Sequence, residues 1–441
     1  MLKLVLNRLT TSMLLQVLRS WRWLSRSQWL SRDELMKIQS RKLRDIVSHA
    51  YERTVFYRRL YGNQMPSISS VRDIRRLPII TKEIVRKTPL EERIASGTDV
   101  RKCVRKTTTG TTGIPITVLE DPASAAYLDG LHLRRLWSYG VRPHYKIVRI
   151  VSGPLERAQV QTVSDIAGLW GKIRTKRIVR LSAAGEIQEH LIFLTKFRPD
   201  VLVAPPSYFR ALKEACESNS KYIALRIAVT WGELLDGRTR RMVSDFFGAE
   251  VFDGYGCTEV APIGGLAWEC PTHTAYHINI DSVVLEFLRD GEEVSAGESG
   301  EVVATSLFRW ATPMIRYYLG DMATPLDDEC PCGRGLPLLK NIEGRVVDFI
   351  RRPDGGSVSP YAIMHVLQDV SGLEQFKVVQ RNDYSIEVLV RVSGDLESVL
   401  NEVENRCNLL FRGLRFRVFP VESIRAGRGE KFRVVESHVT V

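Results

Sequence analysis

From Lys146 onward, short apolar runs alternate with segments of helical period, and that alternation limits the chain to a layered α/β architecture. Ile147-Val148-Arg149-Ile150-Val151, Val201-Leu202-Val203-Ala204 and Leu225-Arg226-Ile227-Ala228-Val229 are rich in β-branched residues and too short for buried helices, so they read as strands. Ile187 to Phe197, Tyr208 to Cys216 and Gly237 to Phe247 space their apolar residues as helices do. Strands in alternation with helices predict a parallel sheet, whose ligands gather at the loops leaving the strands' carboxyl ends. A chain of 441 residues also exceeds what one hydrophobic core usually serves, so more than one domain is expected.

Three expected loops put an acid beside glycine, where backbone can press against a ligand: Thr230-Trp231-Gly232-Glu233, Gly254-Tyr255-Gly256-Cys257-Thr258-Glu259 after a strand ending at Asp253, and Arg316-Tyr317-Tyr318-Leu319-Gly320-Asp321. The last follows the β-rich stretch Val283 to Ser306. One such acid would be a turn or capping carboxylate; three in one domain point to a binding site. Upstream, Thr107-Thr108-Thr109-Gly110-Thr111-Thr112-Gly113-Ile114-Pro115 concentrates hydroxyls and glycines between the strand-like Val104 region and the apolar run from Ile116. That composition cradles a polyphosphate, and it equally suits a solvated turn between strands. It is not a Walker loop, because the Lys-Ser/Thr ending is absent.

Residues 33 to 62 have helical spacing, Thr81 reads as a helix N-cap, and Asp121-Pro122 starts a helix running from about Ala123 to Tyr139. The last hundred residues change texture. A helix at Tyr361 to Val370, strands at Gln375 to Gln380 and Ser385 to Val392, a helix at Leu396 to Phe411 and a strand at Leu414 to Phe419 read as a small βαββαβ-type module with its own core.

The formal net charge of +12 is scattered along the chain and no nucleic-acid-binding motif accompanies it, so phosphorylated small molecules are the expected anionic partners and nucleic acid is not. Four of the seven cysteines, Cys103, Cys216, Cys257 and Cys407, stand alone as free thiols do in reducing compartments, which reads as cytoplasmic. Arginines interrupt the apolar residues 1 to 30 too often for a signal peptide or a spanning helix. With Trp21, Trp23 and Trp29 among those arginines, this segment suits either peripheral contact with an anionic membrane face or a helix packed on its own domain. Cys270, His277, Cys330 and Cys332 supply the four donors that a structural zinc requires, with His273 as an alternative ligand; ordinary buried thiols are the competing reading.

Thr109-Gly110-Thr111-Thr112-Gly113-Ile114-Pro115, Tyr255-Gly256-Cys257-Thr258-Glu259, Gly320-Asp321, Gly344-Arg345 with Asp348, and Lys431 follow one another in the order of the core motifs of adenylate-forming enzymes. The chain resembles that superfamily over nearly its whole length. Gln39, Leu43, His49-Ala50, Phe56-Tyr57 and Cys330-Pro331-Cys332-Gly333-Arg334 make it most similar to the phenylacetate-CoA ligase family and its relatives encoded in capsular-polysaccharide clusters. The resemblance implies a multidomain α/β fold: a large domain of layered α/β subdomains over 1–343, with a zinc-binding segment around 270–332, and a small mobile α+β lid over 344–441.

It also implies a reaction. A small carboxylic acid attacks the α-phosphate of ATP, and the acyl-adenylate then passes its acyl group to a thiol, with coenzyme A or an acyl carrier protein as the acceptor. Amine or sugar hydroxyl acceptors are alternatives, as is a non-catalytic basic zinc-containing binding protein. By resemblance, Thr108, Thr109, Gly110, Thr111, Thr112 and Gly113 hold the β and γ phosphates. Gly232, Glu233, Asp253, Tyr255, Gly256 and Thr258 line the nucleotide site, with Tyr255 flanking the adenine. Glu259 binds Mg²⁺, Asp321 takes the ribose hydroxyls, Arg345 steadies the nucleotide near the hinge, and Lys431 is the mobile catalytic cation. Related branches bind zinc through a Cys, a His before an Ile-Asn pair, and Cys-Pro-Cys, which His277-Ile278-Asn279 and Cys330-Pro331-Cys332 match. The resemblance leaves room for a dimer. The chain departs from the family where Tyr318 and Leu319 precede Gly320-Asp321 in place of Arg-Thr, and where Glu430 replaces the glycine before the lysine.

Overall fold

The structure is a computed structural model that describes residues 11–108, 116–151, 178–183, 185–345, 348–367, 369–424 and 432–439. Its centre is a sheet of twelve strands. One half is parallel, in the order Ile178–Ser182, Ile147–Val151, Val201–Ala204, Ile227–Trp231, Glu250–Tyr255. Parallel neighbours need crossovers, and the helices Ile187–Phe197, Pro206–Ser218 and Gly237–Phe247 provide them. Helices cover these strands, so their apolar runs are continuous; every residue of Val201–Ala204 is buried.

Beyond Glu250–Tyr255 the sheet turns antiparallel through Ala267–Glu269, Tyr276–Ile278, Leu338–Arg345, Tyr317–Leu326, Gly300–Ser306, Val283–Arg289 and Glu292–Glu293. In this half Asp321 pairs directly with Arg345 in the register. Asp321 was expected in a loop, and the structure corrects this: it lies within a ten-residue strand.

Residues 33 to 62 form two helices, Arg32–Arg53 and Val55–Tyr61. Thr54 separates them in an extended conformation, and its hydroxyl accepts from Tyr57 N at 3.1 Å to cap the second helix. The amino-terminal helix Thr11–Ser27 lies on Pro122–Ser138, burying Val17 and Leu24. A β-carbon at Gly130 would sit 2.8 Å from Ser20 Cβ, so only glycine lets these two helices approach this closely. Trp21 and Trp137 meet edge to face across the same contact, which is the packed-helix alternative for this segment.

A buried polar knot fastens these helices to the sheet. Asp281 accepts from Arg134 at 2.6 Å and from Ser27 at 2.6 Å, and all the atoms of the ion pair are shielded from solvent. Lys42 donates to the Asp281 carbonyl at 2.7 Å, and burial pushes its pKa down to about 8.

The carboxyl-terminal module is a four-stranded sheet, in the order Phe416–Pro420, Ile386–Val392, Leu373–Gln380, Val435–Ser437, packed against the helices Pro360–Leu367 and Leu396–Leu410. Its core is its own, around Ile363, Leu373, Val378, Val388, Val403 and Phe411. The strand Val435–Ser437, parallel to Leu373–Gln380, is an addition to the sequence reading. Among the described residues no helix is long and apolar enough to cross a membrane.

Candidate active site

The parallel strands Ile227–Trp231 and Glu250–Tyr255 end at a cavity of about 440 Å³, roofed by the carboxyl-terminal residues Phe432 to Val435. It is lined by Gly232, Glu233, Asp253, Tyr255, Gly256, Thr258, Glu259, Asp321 and Arg345, so the three acid-bearing segments converge there, the first two from the carboxyl ends of parallel strands and the third from an antiparallel strand. Thr108 lines it too. Thr108 N donates to the Ile116 carbonyl at 2.9 Å and Ile116 N to the Thr108 hydroxyl at 3.0 Å, which closes the neck of the hydroxyl-rich loop at the cavity. Thr109, Gly110, Thr111, Thr112 and Gly113 lie outside the described residues, as does Lys431.

Tyr255 Oη donates to Asp321 Oδ2 at 2.8 Å, and Arg345 Nε lies 3.8 Å from Oδ1, so the Asp321 carboxylate is aimed from both sides. Tyr317 Oη donates to Glu259 Oε1 at 3.2 Å. The loop carrying Glu259 turns sharply: Cys257 N donates to the Ala261 carbonyl at 3.1 Å, and a β-carbon on Gly256 would run into that same oxygen. The fully buried Arg309 donates to the Val260 carbonyl at 2.7 Å and to the Thr258 carbonyl at 2.9 Å, which fixes the loop from behind.

Two expected nucleotide residues are differently engaged. Asp253 is buried, and its oxygens accept from Thr230 at 2.5 Å and from Tyr276 at 3.0 Å. Burial raises its pKa to about 6 against those hydrogen bonds. Glu233 accepts from Ser207 N at 2.9 Å, from Ser207 Oγ at 2.7 Å and from Phe432 N at 3.2 Å, so the strand-end loop is tied to the carboxyl-terminal segment.

Sequence reasoning missed several cavity residues. Lys82 follows the Thr81 cap into the site, where burial lowers its pKa while Glu259 opposes the shift. Arg433 lies 3.2 Å from Asp348, whose pKa burial raises to about 6 although Arg433 and Arg345 pull it down. The only advance signal for Lys82 was its place beside a capping threonine.

Cys270, His277, Cys330 and Cys332 come together, with their donor atoms all within 4.8 Å of one another. Cys270 Sγ and Cys330 Sγ are 3.4 Å apart, too far for a disulfide and near the edge length of a tetrahedron of zinc thiolates. Cys332 Sγ is 3.2 Å from His277 Nε2, and burial together with Arg334 pushes the His277 pKa down to about 3, which leaves the neutral imidazole that metals bind. The donor set and spacing fit a closed four-ligand site. His273 does not join it; it lies 2.9 Å from Glu269 and stacks on Phe252, which excludes the alternative ligand.

No family model matches the chain. The phenylacetate-coenzyme A ligase of Thermus thermophilus is 27% identical over 333 residues, 73% of this chain and 72% of that protein. The Escherichia coli protein of the same name is 27% identical over 329 residues, 72% of each. The chain is similar to the phenylacetate-coenzyme A ligases. In fold it matches 2-hydroxyisobutyryl-CoA ligase in the postadenylation state, with a TM-score of 0.79 at 22% identity over 94% of this chain and 92% of that one. The same ligase in its thioesterification state gives 0.63 at 23% identity over 93% and 91%.

Proposed function

We propose that the chain is an AMP-forming acyl-activating ligase that joins a small carboxylic acid to AMP and then to coenzyme A. The observation that carries this reading is the convergence, in one cavity beneath Phe432, of Glu259, the Asp321–Arg345 pair and the neck of the hydroxyl-rich loop. In the first half-reaction a carboxylate oxygen attacks the α-phosphorus of ATP and pyrophosphate leaves. Negative charge builds on the phosphate oxygens as the new bond forms, so waiting cations and donors lower the barrier. Lys82, Arg345 and Arg433 face that space, and Lys431 adjoins it in sequence. Glu259, oriented by Tyr317, would hold Mg²⁺, which would supply positive charge against the phosphates.

Asp321 accepts the ribose hydroxyls, with Tyr255 holding the carboxylate in place. In the second half-reaction the thiol attacks the acyl carbon and AMP leaves, after the module of residues 344–441 swings about Gly344-Arg345. Cys270, His277, Cys330 and Cys332 would hold a structural zinc, which supplies folding energy and leaves no open position for substrate. The seven free cysteines suit a reducing cytoplasm.

The test is pyrophosphate exchange into ATP, measured with phenylacetate and a panel of small carboxylic acids, followed by AMP release when coenzyme A is added. Acid-dependent exchange with at least one acid is expected. Exchange with none of them, by metal-replete protein in Mg²⁺, would leave a fold without the activity.

A further inference from the structure

Glu233 lines the cavity, yet its carboxylate is turned away from any ligand. Oε2 takes the Ser207 N–H at 2.9 Å, while Oε1 takes the Ser207 hydroxyl at 2.7 Å and the Phe432 N–H at 3.2 Å. Ser207 stands in the first turn of Pro206–Ser218, where amides lack intrahelical partners and the helix end favours negative charge. The large sheet's side thus fixes the acid, and one lone pair remains to reach the carboxyl-terminal segment. Phe432 is gripped a second time, because the Arg210 guanidinium lies 4.8 Å from its ring centre. Arg210 is itself held by Thr239 at 2.8 Å and Asp236 at 3.7 Å. Other polar ties across this boundary, Arg238 to the Val370 carbonyl at 2.5 Å, Arg241 to Asp369 at 3.2 Å and Arg391 to Glu214, involve no residue that lines the cavity. The Glu233 tie acts on the backbone beside the cavity.

We propose that Glu233 is a positioning residue and not a nucleotide ligand: with Ser207 and Arg210 it forms a latch that docks Phe432 on the large domain. The latch fixes the carboxyl-terminal segment from Phe432 onward at the edge of the cavity for the adenylating step, and Lys431 adjoins that segment in sequence. The bond exists only while the module sits in this arrangement, so the latch favours the first half-reaction and must open for the second. This consequence rests on the ligase reading; the docking itself does not.

The experiment compares the full chain with Glu233→Ala and Glu233→Gln, keeping only variants whose melting temperature matches the wild type. Hydrogen exchange of the peptide containing Phe432 tests the latch alone: a loss of protection of about tenfold or more, confined to residues 432–437, is expected, since one charge-assisted hydrogen bond is worth about that factor. Unchanged protection there overturns the latch. Half-reactions with phenylacetate and preformed phenylacetyl-adenylate test its purpose. Pyrophosphate exchange should fall about 10- to 100-fold in kcat with little change in the KM for ATP, while thioester formation from the adenylate with coenzyme A is undiminished. A rise in ATP KM at constant kcat would return Glu233 to the nucleotide site, and an equal fall in both half-reactions would make it merely structural. Wild-type protein inactive with every acid would defeat the ligase reading, while the exchange measurement would still decide the latch.

Discussion

A carboxylate held without solvent carries a pH signature, and Asp253 shows what its own should be. Burial raises its pKa to about 6, above the ordinary value for Asp, so the protonated form suits the folded state better than the unfolded one. Its contribution to stability is full below about pH 4 and is lost as pH rises through about 6, a loss of roughly 2–3 kcal/mol. Asp253→Asn, whose amide can still meet the Thr230 and Tyr276 hydroxyls, should remove that slope. Urea unfolding at pH 4.5 and 7 checks it, and an unchanged slope in the variant would place the titration elsewhere. Asp321 is different, because its carboxylate is aimed and open to the cavity. Asp321→Ala should weaken ATP about 10- to 100-fold by calorimetry, at nearly unchanged melting temperature, from the loss of two charge-assisted bonds. Equal affinity in both proteins would remove Asp321 from the site. These acids could be singled out in the sequence because each sits beside glycine, whereas Lys82 had only a capping threonine beside it and Arg309 had no local pattern. Each of those cations acts by reaching residues distant in sequence: Lys82 lies in the field of Glu259, and Arg309 binds the 258 and 260 carbonyls.

At the scale of elements, helices and sheet are joined by a charge pair that water does not reach. Arg134→Ala would leave Asp281 buried with Ser27, Ser282 and Lys42 as its remaining support, and breaking one side of such a pair costs about 3–5 kcal/mol. Chemical denaturation measures the loss; a change under 1 kcal/mol would mean that Lys42 compensates. The elements themselves were legible where period and burial agree, as in Val201–Ala204 and Ile187–Phe197. Boundaries slipped where backbone groups were used outside a ladder. The strand expected from Leu225 begins at Ile227, because Leu225 N donates to Phe247 O at 2.8 Å and Arg226 N to Asp200 O at 2.9 Å. Val435–Ser437 went unread for another reason: three residues, of which only Val435 is buried, give no period, and the strand exists through its pairing with Val378, Val379 and Gln380.

At the scale of the whole molecule, the cysteine cluster joins parts far apart in sequence. Cys270 and His277 belong to the hairpin of Ala267–Glu269 and Tyr276–Ile278, and Cys330 and Cys332 to the turn that leads into Leu338–Arg345, which ends at the Arg345 of the cavity. Backbone pairing already holds part of this junction, since Ile278 N donates to Pro337 O at 2.8 Å and His277 faces Leu338. The turn from Cys330 to Gly333 depends more on its thiols, which a bound ion would gather as thiolates. We expect one zinc per chain in protein purified without chelator. Removing it, or Cys332→Ser, should lower the melting temperature by on the order of 10 °C, because ligand binding to the folded state is folding free energy. A closed site offers substrate no coordination position, so activity per folded molecule should be unchanged at temperatures well below the new transition. Stoichiometric zinc with full activity after its removal supports this division of labour. A metal-free preparation with wild-type stability would reduce the four residues to a packed cluster, and loss of activity in fully folded, metal-stripped protein would mean that the junction governs the geometry of Arg345.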